Sequence, residues 1–209
     1  MHNIIKKTQN KIFQVSPKLV KFCIFPSKYC DYTQFNSNRI HPHARFNRGV
    51  FRESLSGYIK IKSTNWDKQE GILFSKLLEF QALKNHYTGK ENWKKSKFAF
   101  RNINFIKKKH NVRGFVDHKK FLVAREKQID KLFESIIKKG VYPININRDK
   151  KLFIDNISVV LTKKNKLYFN NRGHHRLSIA KIIGLKEVPI KITVAKSTKI
   201  LEEFYLLNK

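Results

Sequence analysis

The most constraining feature of the chain lies between Ile157 and Val194. Ile157-Ser-Val-Val-Leu161 is a short, strongly apolar run, followed by Lys163-Lys164-Asn165 and a second run from Lys166 to Phe169. Two such runs around a short polar turn predict a β-hairpin. Asn170-Asn171-Arg172-Gly173 interrupts the pattern. A helix is then predicted from His174 to Ile183, apolar at Leu177, Ile179, Ala180, Ile182 and Ile183, with Gly184 at its C-terminal stop. Leu185 to Val194 returns as a β-branched strand, in which Pro189 is tolerable only near the start or on an edge. A hairpin, a helix and a further strand in such close succession imply a small mixed sheet packed by helices.

The turn before that helix also carries candidate chemistry. A helix N-terminus presents backbone N–H groups and a partial positive charge, and a glycine there permits close approach to the backbone. Arg172, Gly173, His174, His175 and Arg176 at one such start would form an anion socket suited to phosphate. The same residues could equally form a surface turn, with Arg176 solvated and one histidine buried and hydrogen-bonded. Spacing alone leaves both open.

The order strand, turn, strand, Gly-x-x-Arg, helix, Gly, Leu-x-x-Val-Pro, strand resembles the ParB/sulfiredoxin-like domain over residues 126 to 194. ParB proteins carry Gly-Glu-Arg-Arg at the turn, sulfiredoxins Gly-Cys-His-Arg and free-serine kinases Gly-His-Thr-Arg. This chain has Gly173-His174-His175-Arg176. Trp66-Asp67, His86-Tyr87, Gly89 and Trp93 resemble a leading segment of uncharacterised ParB-like proteins of prokaryotes and viruses. The resemblance implies an α+β fold with an N-terminal helical and loop extension. It also implies nucleotide phosphate binding by residues 172 to 176, with ATP, ADP or CTP and Mg2+ as candidate ligands. Phosphoryl transfer or nucleotide hydrolysis would make His174 and His175 the candidate catalytic residues. Relatives that act as kinases use a carboxylate base, for which Asp117, Asp149 and Asp155 are candidates. A metal would arrive with the nucleotide, and no site built from protein groups alone is expected. Where sulfiredoxins have their cysteine this chain has His174, so their thiol chemistry is not expected. The absence of a downstream helix-turn-helix pattern removes the DNA-reading half of a ParB.

Charge supplies the alternative. The chain of 209 residues has a formal net charge of +30, which points to an anionic partner such as DNA or RNA. Of its 45 basic residues 35 are lysine, a composition that an AT-rich genome also favours. A basic nucleic-acid-binding module, or a nuclease that cuts the backbone it grips, would use the same socket for a backbone phosphate. Its further contacts would be the clusters at Arg45, Arg48 and Arg52 and at Lys107, Lys108 and Lys109. His41 and His43 read as part of an exposed basic loop rather than as a metal pair. Asp117-His118 resembles half of a metallonuclease strand but lacks its partners.

Two cysteines without paired motif spacing argue for a reducing compartment. No run approaches the ~18 apolar residues of a membrane span, so a cytoplasmic location without membrane contact is expected. The chain divides on composition into a basic loop and helical extension (residues 1–110) and a ParB/sulfiredoxin-like domain (111–209). Residues 1–57 read as irregular, and Tyr58 to Lys62 as a strand. A helix from Lys68 to Tyr87 is expected behind Asp67 as its cap. The cleanest helix runs from Glu126 to Lys139, with Ile129, Leu132, Phe133, Ile136 and Ile137 on one stripe. A short terminal helix is expected within Ala195 to Lys209.

Overall fold

The computed structural model describes residues 2–8, 11–24, 59–63, 65–67, 72–108, 114–143, 156–170 and 172–208. The fold is α+β, as the sequence predicts. Strands β1 (Phe13–Val15), β2 (Phe22–Cys23), β3 (Lys60–Ile61), β4 (Ile72–Leu73), β5 (Ile157–Leu161), β6 (Leu167–Phe169) and β7 (Val188–Ala195) form one sheet. Its order is β1-β7-β5-β6-β2-β4, with β3 also on β7. The six helices among the described residues are α1 (His2–Thr8), α2 (Leu78–Tyr87), α3 (Lys97–Lys107), α4 (His118–Lys139), α5 (His174–Ile182) and α6 (Thr198–Leu207).

The centre of the sheet is the block that the sequence singles out. β5 and β6 are the expected antiparallel hairpin, and β7 lies parallel to β5 on its other side. Every residue of β5 is buried, and the strand explains its continuous apolar run by feeding two cores. Ile157, Val159 and Leu161 face one large cluster that includes Leu177 of α5 and Leu201 of α6. Val160 turns the other way, towards Ile24, Tyr168 and Val194. Burying each such side chain contributes about 1.5–3 kcal/mol. A third cluster, of helices, joins Leu83, Trp93, Phe98, Phe121 and Ile129. Pro189 pairs with Gln14 of β1 near the start of β7, where its missing donor is tolerated.

Four expectations are corrected. Residues 1–57 are not irregular throughout, since β1 pairs with β7 and β2 pairs with β6. The sheet and its principal core therefore draw on both sides of residue 110. The helix expected from Lys68 begins only at Leu78, because Ile72 and Leu73 pair instead with Cys23 and Phe22. Asp67 is not the cap of α2, a position held by Leu77. Its carboxylate accepts from the Lys163 amide (2.9 Å) and from Lys196 Nζ (2.7 Å), pinning the hairpin turn and the end of β7. The long helix opens at His118 rather than Glu126, because Asp117 Oδ1 accepts from the Lys120 amide at 2.8 Å as an N-cap. No helix among the described residues is long and apolar enough to cross a membrane.

Candidate functional site

The start of α5 is held in place by β5. The Asn170 amide donates to Ser158 O, the Arg172 amide to Ser158 Oγ (3.0 Å), and the Ser158 amide to Arg172 O. Gly173 then enters the helix in the left-handed region, at φ 76°. A Cβ built there would lie 2.6 Å from Ile157 Cα and 2.8 Å from its amide nitrogen. The glycine is thus required by close packing of turn on strand. The face expected to admit a ligand is filled by β5.

The two histidines that follow meet a residue that sequence reasoning did not select. Glu79, in the first turn of α2, is 2% exposed. Its Oε2 lies 2.5 Å from His174 Nε2 and its Oε1 lies 2.6 Å from His175 Nε2. Burial alone would raise the Glu79 carboxyl, but the charges and hydrogen bonds of His174 and His175 outweigh it and hold it well below the usual carboxylate range. The two imidazoles lie side by side, with ring centroids 3.9 Å apart.

Arg125 comes in from α4. Although it is 7% exposed, its Nη2 reaches to 2.6 Å from His175 Nε2 and its Nη1 donates to Gln128 Oε1 at 3.0 Å. Three helices packed on one another thus deliver one cluster: α2 gives Glu79, α4 gives Arg125 and α5 gives both histidines. Glu79, His174 and His175 together have metal-ligand geometry, with one donor atom from each within 4.8 Å of the others.

The chain matches no known protein family, no curated protein and no solved structure. What the site can do must come from its own groups.

The sequence-predicted residues divide as follows. His174 and His175 come together, and His174 is turned inward and buried. Arg172 and Arg176 flank them, half-buried. The carboxylate that lies against the histidines is that of Glu79. Asp117 is an exposed helix cap, and Asp149 and Asp155 lie outside the described residues. Lys107 and Lys108 are exposed at the C-terminal end of α3. Lys109, Arg45, Arg48, Arg52, His41 and His43 lie outside the described residues. Cys23 is a buried free thiol, raised by burial, and Cys30 lies outside the described residues.

Two signals could have pointed to the missed residues. Glu79 is a lone acid in the apolar run Leu77-Leu78-Glu79-Phe80, and Arg125 lies four residues from both Phe121 and Ile129. Each occupies a position that helical spacing would bury.

Proposed function

We propose that the start of α5 binds the phosphate of a nucleotide. The observation that supports this is the concentration of basic side chains there: Arg172 and Arg176 bracket the two histidines in sequence, and Arg125 reaches His175 from α4. The cap position is a glycine with no side-chain cap, and the first turn holds no acid, so the helix dipole adds to that charge. Arg176 is the principal phosphate clamp and Arg172 adds charge from the turn. The resemblance of Gly173-His174-His175-Arg176 to the nucleotide turn of ParB/sulfiredoxin-like domains points the same way. In the metal-free site, phosphoryl transfer or hydrolysis would use neutral His175, the less buried histidine, as base. It would take the proton of the attacking hydroxyl or water while the bond to the leaving phosphate breaks, and Glu79 would stabilise the imidazolium.

A thermal-shift screen of ATP, ADP, CTP and GTP with and without Mg2+ tests the proposal. A nucleotide at 100 times its Kd stabilises by about 2.7 kcal/mol. Arg176→Ala should weaken that nucleotide roughly ten- to a hundredfold, the loss of one charge-assisted bond, with little change in the unliganded melting temperature. Unchanged affinity in that variant would refute the proposal. The net charge of +30 favours a second occupant, a nucleic-acid backbone. It would be recognised by binding whose log–log salt slope is steep, about 0.9 per duplex phosphate neutralised, and which free nucleotide does not displace.

A further inference from the structure

We infer that Glu79, His174 and His175 form a binding site for one divalent transition metal of the zinc class. This goes beyond the phosphate proposal and does not depend on it, because it stands on donor geometry alone. The three residues come from two helices far apart in sequence, yet they point two imidazole Nε2 atoms at the two oxygens of one carboxylate. One donor atom from each residue falls within 4.8 Å of the other two. Their composition selects the metal. Two imidazoles and a carboxylate suit Zn2+, Co2+, Ni2+ or Fe2+, whereas Mg2+ and Ca2+ need more oxygen than a single carboxylate supplies. Three protein ligands are also the number found where zinc keeps a position for water or substrate, not where it serves structure alone.

Arg125 provides a second, independent observation. His175 Nε2 is 2.6 Å from Glu79 Oε1 and also 2.6 Å from Arg125 Nη2. A ring nitrogen that donates to the carboxylate has no lone pair left for the guanidinium, and one that accepts from the guanidinium has no proton for the carboxylate. Two opposed claims therefore converge on one nitrogen, the carboxylate's for its proton and the guanidinium's for its lone pair. A divalent ion resolves them by taking the lone pairs of both nitrogens and one carboxylate oxygen, while Arg125 swings away. Arg125 is thus a competitor for the ion.

The test uses the full chain, freed of metal by a chelator and titrated with Co2+ in a buffer without phosphate or nucleotide. One Co2+ per chain should bind with the visible absorption of a four- or five-coordinate ion, and one Zn2+ should displace it. His174→Ala and His175→Ala should each weaken the ion by more than the roughly 10–100-fold typical of losing an outer-sphere partner, with circular dichroism confirming that each variant is folded. Arg125→Ala should strengthen it. Glu79→Gln is the harsher variant, and the two histidine variants carry the test if it does not fold. Absence of stoichiometric binding to the wild-type chain would overturn the site. So would binding that both histidine variants retain at full strength, which would put the ion on other groups such as His41 and His43. Because no nucleotide is present, failure here leaves the phosphate proposal standing, and failure of the nucleotide screen leaves the metal site standing.

Discussion

The starts of α4 and α5 solve one problem in opposite ways. Both helices begin with a histidine, His118 and His174. α4 is closed locally: Asp117, exposed and immediately before the helix, accepts from the Lys120 amide. α5 has a glycine in that position and no acid in its first turn. Its acid is Glu79, contributed from α2 and buried against both imidazoles. A local cap stabilises one helix end and nothing more. A buried carboxylate reached from another helix ties α2 to α5, and its burial makes each partner obligatory for the others. The α5 start is therefore the more expensive construction, as expected of a place that does more than end a helix.

The largest expected effect comes from removing Glu79. Glu79→Ala leaves two imidazoles and Arg125 clustered without their anion and should destabilise by about 3–5 kcal/mol, a fall of roughly 6–20 °C in Tm for a chain of this size. A shift no larger than that of Asp117→Ala would erase the distinction between the two helix starts. The same carboxylate gives a pH signature. Its folded pKa is depressed, so its stabilisation is full above the unfolded value of about 4.3 and is lost as pH falls through the folded value. Chemical denaturation of Glu79→Gln should accordingly show a flatter acid limb than the wild type.

Next comes Gly173→Ala, with Gly184→Ala as its control. Both glycines have φ near 70° (76° and 72°), but a Cβ at Gly184 meets nothing within 4 Å whereas one at Gly173 strikes the Ile157 backbone. Each variant should incur the left-handed penalty of about 1–2 kcal/mol, and Gly173→Ala should lose about 1–3 kcal/mol more from overpacking. Equal melting temperatures for the two would show that the turn yields to the strand.

Asp117→Ala should have the smallest effect, a slight drop in Tm with no change in nucleotide or metal binding. The backbone amide of Lys120 lowers the Asp117 pKa, so its contribution is present above the unfolded value and fades as pH falls through the folded one. Loss of ligand binding in this variant would join the two helix starts into one functional unit.

What could be read from the sequence was what is contiguous. β5, its hairpin with β6, α5 and β7 follow one another, and their apolar spacing carries them. β2 and β4 are two residues each, too short for alternation to register. α3 escaped notice although Phe98, Ala99, Ile103 and Ile106 mark its buried face, because Asn102 breaks the stripe and bonds back to Phe98 O at 2.7 Å. The first turns of α4 were missed for a related reason. Arg125 falls on the line from Phe121 to Ile129, so a charged residue stands where an apolar one was expected. The histidine half of the site was legible as a motif. Its other half, Glu79 and Arg125, becomes neighbour to the motif only through helix packing, which no local pattern encodes.

The pairing of β1 with β7 bears on how the chain is made. Phe13 lies opposite Ile190, and β7 is also the parallel neighbour of β3 and β5. During synthesis the first three of these segments leave the ribosome well before the strand that joins them. β5 can close its hairpin with β6 at once, but β1 and β3 wait without their sheet neighbour until β7 emerges. Pairings of such long sequence separation form late and slowly. A chain cut before Val188 would lose the shared neighbour of β1, β3 and β5 together, so the arrival of β7, rather than growth of the sheet strand by strand, is the step that commits the chain to its fold.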